Sequence, residues 1–347
     1  MKFSHRTIVL VATALSLCSG IANARTLVVL NKAEASASLI DLDTGAVVAT
    51  LPTGVGPHEA APSPDGSRVL ATNYGTRDEP GSSLTLIDVA DASVVSTIDL
   101  SPYKRPHGVR WLADGRRAVV TAESNKALLV VDVGEGRVIQ AIDTGQEISH
   151  MVAVTPDGQR AFVANIGSGS VTVIDLSAGR RIGNIVTGEG AEGVDVTPDG
   201  REAWVTNRAA NTVSVIDTGT LEIKRTLASA DFPIRATITA DGQNVLVSHA
   251  RSADVAVFDA NSGDVLRRIS LQQGDVDLKG KLFGDMFGDS SIPIGVVVDP
   301  AGGRAWVALA GSDLVAELDM DDWTISRALT AGREPDGMAY SALQAGQ

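Results

Sequence analysis

The chain is short of the residues that usually carry chemistry. It has 347 residues but one cysteine, five histidines and only 4% aromatics. The single cysteine, Cys18, lies in LSLCSG within a segment that reads as an export leader. Lys2, His5 and Arg6 form its basic start, and Thr7 to Leu17 is an apolar run too short to span a bilayer as a mature helix. ANA at Ala22–Ala24 supplies a small-residue cleavage signal, and Leu17 is not the small residue that lipidation of Cys18 would want. Residues 1–24 are therefore expected to be a signal peptide, with cleavage near Ala24 and a periplasmic or secreted product. The mature chain then has no cysteine, which excludes disulfides and thiolate chemistry.

Basic charge is also scarce. Without Lys2 and Arg6, 27 basic residues face 42 acidic ones, a net charge of −15. Such a surface repels phosphate backbones, so no nucleic-acid partner is expected. No later apolar run is long enough for a membrane span. A glycine-rich phosphate loop, a GxSxG elbow and a CxxCH haem site are all missing. The acidic run DMDD, Asp319–Asp322, does not follow calcium-loop spacing and reads as a solvated turn. With 44% hydrophobic residues and so few rings, the core is expected to be built from Val, Ile, Leu and Ala, with Trp111, Trp204, Trp306 and Trp323 packing in or beside strands.

What the chain does have is a repeat. VTPDGQRAFVANIGSGSVTVID, from Val154, is followed by VTPDGREAWVTNRAANTVSVID, from Val196. The closing Asp recurs at Asp41, Asp88, Asp132, Asp175, Asp217, Asp259 and Asp319, in steps of 47, 44, 43, 42, 42 and 60 residues. Each unit holds four short strands. GVDVT is the first, PDG a tight turn, REAWVTN the second, TVSVID an alternating third, and a DxxTG-type turn leads to the fourth. Seven such units and no helical period predict an all-β, seven-bladed propeller with four-stranded blades, a single domain over residues 25–347. RTLVVLN at Arg25–Asn31 has no first strand before it, and EPDGMAYSA at Glu334–Ala342 is a first strand with nothing after it. Pairing them closes the ring and hides two strand edges.

AFVANIGSGSVTVID and AWVTNRAANTVSVID resemble the YVTN-type propeller repeats of periplasmic YncE-like proteins and of surface-layer and lactonase-like relatives. The resemblance covers Arg25 to Ala342. It implies the fold and says little about chemistry, because its motif residues build strands and turns.

Variation points to one face. The PDG and DxxTG turns are alike in nearly every unit. On the opposite face, YGTRDEPGSS at Tyr74–Ser83 lengthens one loop, and an insert over Gln272–Pro293 carries Phe283, Met286 and Phe287. Insertions on one face commonly mark the binding face, so this insert is expected to form a wall, a lid or a protein-partner surface.

At the lead-in to the first strand, the aligned position reads Asp336, His58, His107, His150, Glu192, Arg235 and Ile294. Neighbouring units are neighbours in space, so three imidazoles form one arc flanked by carboxylates. His58, His107 and His150 with Glu192 or Asp336 suit a divalent transition metal, zinc or copper, or a small polar or anionic ligand. The alternative is acid–base work by His107 or His150, with Arg235 as anion clamp, in a lactonase, cyclase or lyase. His249 holds the place that Asn31, Asn73, Asn165 and Asn207 occupy elsewhere. It is expected either to make those asparagines' hydrogen bonds or, with Arg251 and Arg208 nearby, to add a ligand contact. A monomer is expected.

Overall fold

The computed structural model describes residues 25–274, 278–281 and 284–346. The leader expected at residues 1–24, and Phe283 of the large insert, lie outside the described residues. Seven four-stranded antiparallel sheets stand in a ring. The inner strand of each blade packs against the inner strand of the next, round to the first. The closing blade is built as the chain ends suggest: Pro335–Ser341 pairs with Thr26–Asn31, in a register running from Thr26 opposite Ser341 to Asn31 opposite Pro335.

Blades pack face to face, so the second and third strands bury both faces. Ala127–Asp132 and Thr26–Asn31 are buried along their whole lengths. This is why these strands read as nearly unbroken Val, Leu, Ile and Ala. Fourth strands border solvent and carry the exposed positions, as in Arg180–Val186. The bulky rings fill gaps between blades: Trp204 and Trp306 are fully buried, and Trp204 meets Phe258 edge-on at 6.2 Å.

Every inner strand carries a bulge at the same place. Pro57 faces Asn73 but Ala60 faces Ala71, so one extra residue is inserted between them, and the other inner strands repeat this. A bulge re-aims side chains. Here it presents two consecutive residues, such as His58 and Glu59, to the central channel. The interrupted ladder is repaired by the hydroxyl of the "VTN" motif. Thr121 Oγ1 accepts from Gly108 N at 2.8 Å and donates to His150 O of the next blade at 2.6 Å. Thr206 does the same between Gly193 N and Ile234 O, and Ser248 between Arg235 N and Ile294 O. The motif's asparagine ties strand two to strand three: Asn31 Nδ2 donates to Ser36 Oγ and Ser38 Oγ at 3.0 and 2.9 Å.

Candidate functional site

The bulges build the channel in tiers. The upper tier holds the first bulge residue of each blade: Asp336, His58, His107, His150, Glu192, Ile234 and Ile294. This corrects the sequence alignment in the sixth blade. Pro233 faces His249 as Pro57 faces Asn73, so Ile234 is the counterpart of His58, and Arg235 sits one residue deeper, level with Glu59. The tripeptide pattern around Arg235 could not reveal this, because the bulge and not the local motif sets the register.

In the lower tier, four blades place glycine: Gly108, Gly193, Gly295 and Gly337. A Cβ on Gly295 would lie 2.1 Å from Asp336 O, and one on Gly193 2.3 Å from Ile234 O. Neighbouring strands therefore close around the channel only if these positions are bare. The space that remains is taken by Glu59 and Arg235, which ion-pair across the channel. Arg235 Nη1 also reaches Glu192 Oε1 at 3.5 Å. The pair divides the channel into a mouth cavity of about 920 Å³ and a smaller one of about 510 Å³ toward the turn face.

A second ring surrounds the upper tier. It is formed by the residue just after the motif-asparagine position in each blade, including Lys32, Tyr74, Glu123, Ile166 and Arg208. All five line the mouth cavity. The sequence reading passed over Lys32, Tyr74, Glu123 and Glu59, and weighed Arg208 only beside His249. The same repeat alignment, shifted one place past the asparagine, would have exposed this ring.

The two rings interlock. Asp336 Oδ2 lies 2.8 Å from both Lys32 Nζ and His58 Nδ1. Glu123 meets His150 Nδ1 and accepts from the Tyr74 hydroxyl at 2.5 Å. Glu192 lies 3.4 Å from His150 Nε2 and accepts from Arg208 Nη1 at 2.7 Å. His107 lies between the other two imidazoles, with ring centroids 4.2 Å from His58 and 3.5 Å from His150. It is fully buried, and neither of its nitrogens has a hydrogen-bond partner among the described residues. Two overlapping donor sets meet at it: His58, Glu59 and His107, and His107, Glu123 and His150, each with one ligand atom per residue within 4.8 Å of the others.

Burial and the neighbouring charges set the protonation states. Burial pushes His107 well below the ordinary histidine range, and His150 and His58 push it further. Burial and the Lys32 cation hold His58 down against the pull of Asp336. Burial also disfavours charge on His150, but Glu123 and Glu192 outweigh it and raise that imidazole. Glu192 resists burial and is held at about 2 by His150, Arg208 and Arg235. Asp336 overcomes burial through Lys32 and His58 and lies well below the carboxylate range. Of the groups in this network, four carboxylates (Glu59, Glu123, Glu192, Asp336) face three permanent cations (Lys32, Arg208, Arg235). The fourth positive partner is the imidazole of His150, which Glu123 and Glu192 draw toward its charged form from either side.

His249 and Arg251 are not brought to this cluster. His249 is fully buried behind the cavity wall, with Nδ1 at 2.6 Å from Asp254 and Nε2 at 2.8 Å from Ser229 Oγ. It performs the tie that asparagine performs in other blades. Arg251 pairs with Asp231 at 3.1 Å and stacks over Phe232. Within the large insert, Phe287 meets Phe232 edge-on at 5.0 Å, and Met286 lines the mouth cavity. In its described residues the insert therefore borders the mouth cavity.

These features define a class: a seven-bladed propeller whose channel mouth is a buried nest of imidazoles and carboxylates. The model of the YNCE-like beta-propeller family matches residues 4–117 and 118–278, and the chain belongs to that family. No curated protein matches it. Among solved structures it is similar to a functionally unknown protein from Desulfotomaculum acetoxidans, with 16% identity over 91% of this chain and 98% of that one and a TM-score of 0.74. It is also similar to Kuenenia stuttgartiensis hydrazine synthase, with 22% identity over 77% of each chain and a TM-score of 0.64. At these identities the likeness concerns the fold alone. Among the described residues no helix is long and apolar enough to cross a membrane.

Proposed function

We propose that the protein is an exported metal-binding propeller, holding a zinc or copper ion at the channel mouth through His58, His107 and His150. The observation that carries this reading is His107. A buried imidazole with both nitrogens unpartnered costs free energy, unless something absent from the polypeptide uses them. The flanking imidazoles support it. Asp336 at His58 Nδ1 and Glu123 at His150 Nδ1 are carboxylate partners of the kind that orient a ligating histidine, and Glu192, 3.4 Å from His150 Nε2, is a further oxygen donor beside them. A metal ion bound here would take the place of the proton that Glu123 and Glu192 favour on His150, so the carboxylates would keep a positive partner.

The acid–base alternative fits less well. Arg235, its intended anion clamp, is committed to Glu59 and Glu192. His107 has no partner to relay a proton. The test is elemental analysis of untagged protein, with thermal unfolding before and after addition of zinc or copper. An ion at a hundred times its dissociation constant should stabilise the fold by about 2.7 kcal/mol. No retained metal and no shift in melting, in a protein that unfolds cooperatively, would sink the proposal.

A further inference from the structure

Each residue leading into an inner strand has a left-handed backbone, with φ between 52° and 74°. Glycine adopts this geometry freely but fills it only at Gly56 and Gly190. Arg105, Ile148 and Phe232 adopt it with φ of 57°, 55° and 65°. For a β-branched residue this is a true outlier, and such strain persists where the surroundings or a function demand it. The repeat imposes this backbone in every blade, and Ile292, which shares it, is buried; Ile148 is 42% exposed, so burial of its side chain does not account for the choice of isoleucine there.

Its neighbours share the anomaly. The large exposed apolar side chains otherwise sit on outer strands or, for Leu343, in the C-terminal tail. The exceptions are Val55, Ile148 and Met286, at 57%, 42% and 55% exposure, and all three line the mouth cavity. The same cavity is lined by Arg77, Arg105 and Arg333, none of which forms an ion pair among the described residues. Arg105 is held in place, donating to Arg77 O at 2.8 Å and lying 5.0 Å over the Tyr74 ring. The carboxylates beneath, Glu123, Glu192 and Asp336, are already paired. Arg77 comes from one loop insertion and Met286 from the other, so both converge here. In a chain of net charge −13, unpaired guanidinium groups facing an apolar lip are complementary to one kind of ligand.

We propose that this collar binds a small organic anion with an apolar body, its carboxylate facing Arg105 and Arg333 and its hydrocarbon lying against Ile148, Val55 and Met286. This goes beyond the metal reading and uses different residues. The experiment titrates octanoate, octan-1-ol and acetate into full-length protein freed of metal with EDTA, followed by calorimetry. Octanoate should bind one to one, about tenfold or more tighter than either control. Ile148→Gly should match or exceed the parent's melting temperature, because it relieves the left-handed strain, yet bind octanoate about tenfold more weakly. Arg105→Gln with Arg333→Gln should weaken octanoate about fivefold and leave octan-1-ol unchanged. Equal affinity for octanoate and octan-1-ol, no saturable octanoate binding below about 1 mM, or unaltered octanoate binding by Ile148→Gly would each overturn the proposal. Zinc content of the same preparation before EDTA decides the metal reading separately.

Discussion

The two faces of the ring are made from the same repeat and have opposite character. On the turn face, the Asp of the PDG turn, or of ADG at Asp241, does one job in blade after blade. Its Oδ1 accepts from a Ser or Thr hydroxyl at 2.5–2.6 Å and from a backbone amide at 3.0 Å at Asp65, Asp157, Asp199 and Asp241. The following glycine takes a φ of 69–74° in each. On the mouth face, equivalent positions hold imidazole, carboxylate, isoleucine, arginine or glycine. Where geometry demands a residue, the copies agree. Where it does not, they have diverged into a set that makes sense only when seen together across the channel.

That contrast can be broken by substitution. The largest expected effect on folding is at the septum. Arg235→Ala strands Glu59 as a buried charge and should cost about 3–5 kcal/mol in chemical denaturation. The double replacement Glu59→Leu with Arg235→Leu should recover most of that loss, because it removes both charges together. If Arg235→Ala costs nothing, the septum is not a closed, water-excluded pair.

Next comes His107. His107→Ala should lower zinc or copper affinity by about 100-fold or more while leaving the unfolding midpoint of the metal-free protein near the parent's. The equivalent change at His249 should behave in the reverse way, destabilising the blade and sparing metal affinity. A metal titration and a denaturation curve on each variant separate the two outcomes.

A smaller effect is expected at the bulge clamp. Thr206→Val keeps the shape but removes a buried hydroxyl that serves Gly193 N and Ile234 O, and should cost about 1–3 kcal/mol by leaving both unpartnered. The smallest belongs to the turn face. Hydrogen bonds from Ser63 and Ser67 hold Asp65 at about 2, below its unfolded value. Its contribution is therefore present above about pH 4 and lost as pH falls toward 2. Asp65→Ala should be slightly less stable than the parent at pH 7 and indistinguishable from it near pH 2 in urea unfolding.

Much of the architecture was legible in the sequence. The 42-residue period, the PDG turns and the split first blade give seven four-stranded blades and their closure, since these depend on contacts within one repeat or between adjacent ones. The histidine arc was legible for the same reason: His58, His107 and His150 lie in successive copies and must be neighbours. The partners of those imidazoles were less so. Tyr74, Glu123 and Lys32 stand just past the motif-asparagine position at the end of strand two, where a residue type alone does not reveal whether it points inward.

Sequence by itself therefore determined the ring, the order of the blades and which blades carry imidazole, because periodicity and turn chemistry are local. Only the tertiary structure decided that Ile234 and not Arg235 is the sixth blade's counterpart of His58, that Arg235 meets Glu59 from 176 residues away, and that His107 is sealed with both nitrogens unsatisfied. Those facts depend on one inserted residue in each inner strand and on the width of a channel that exists only when all seven blades have closed.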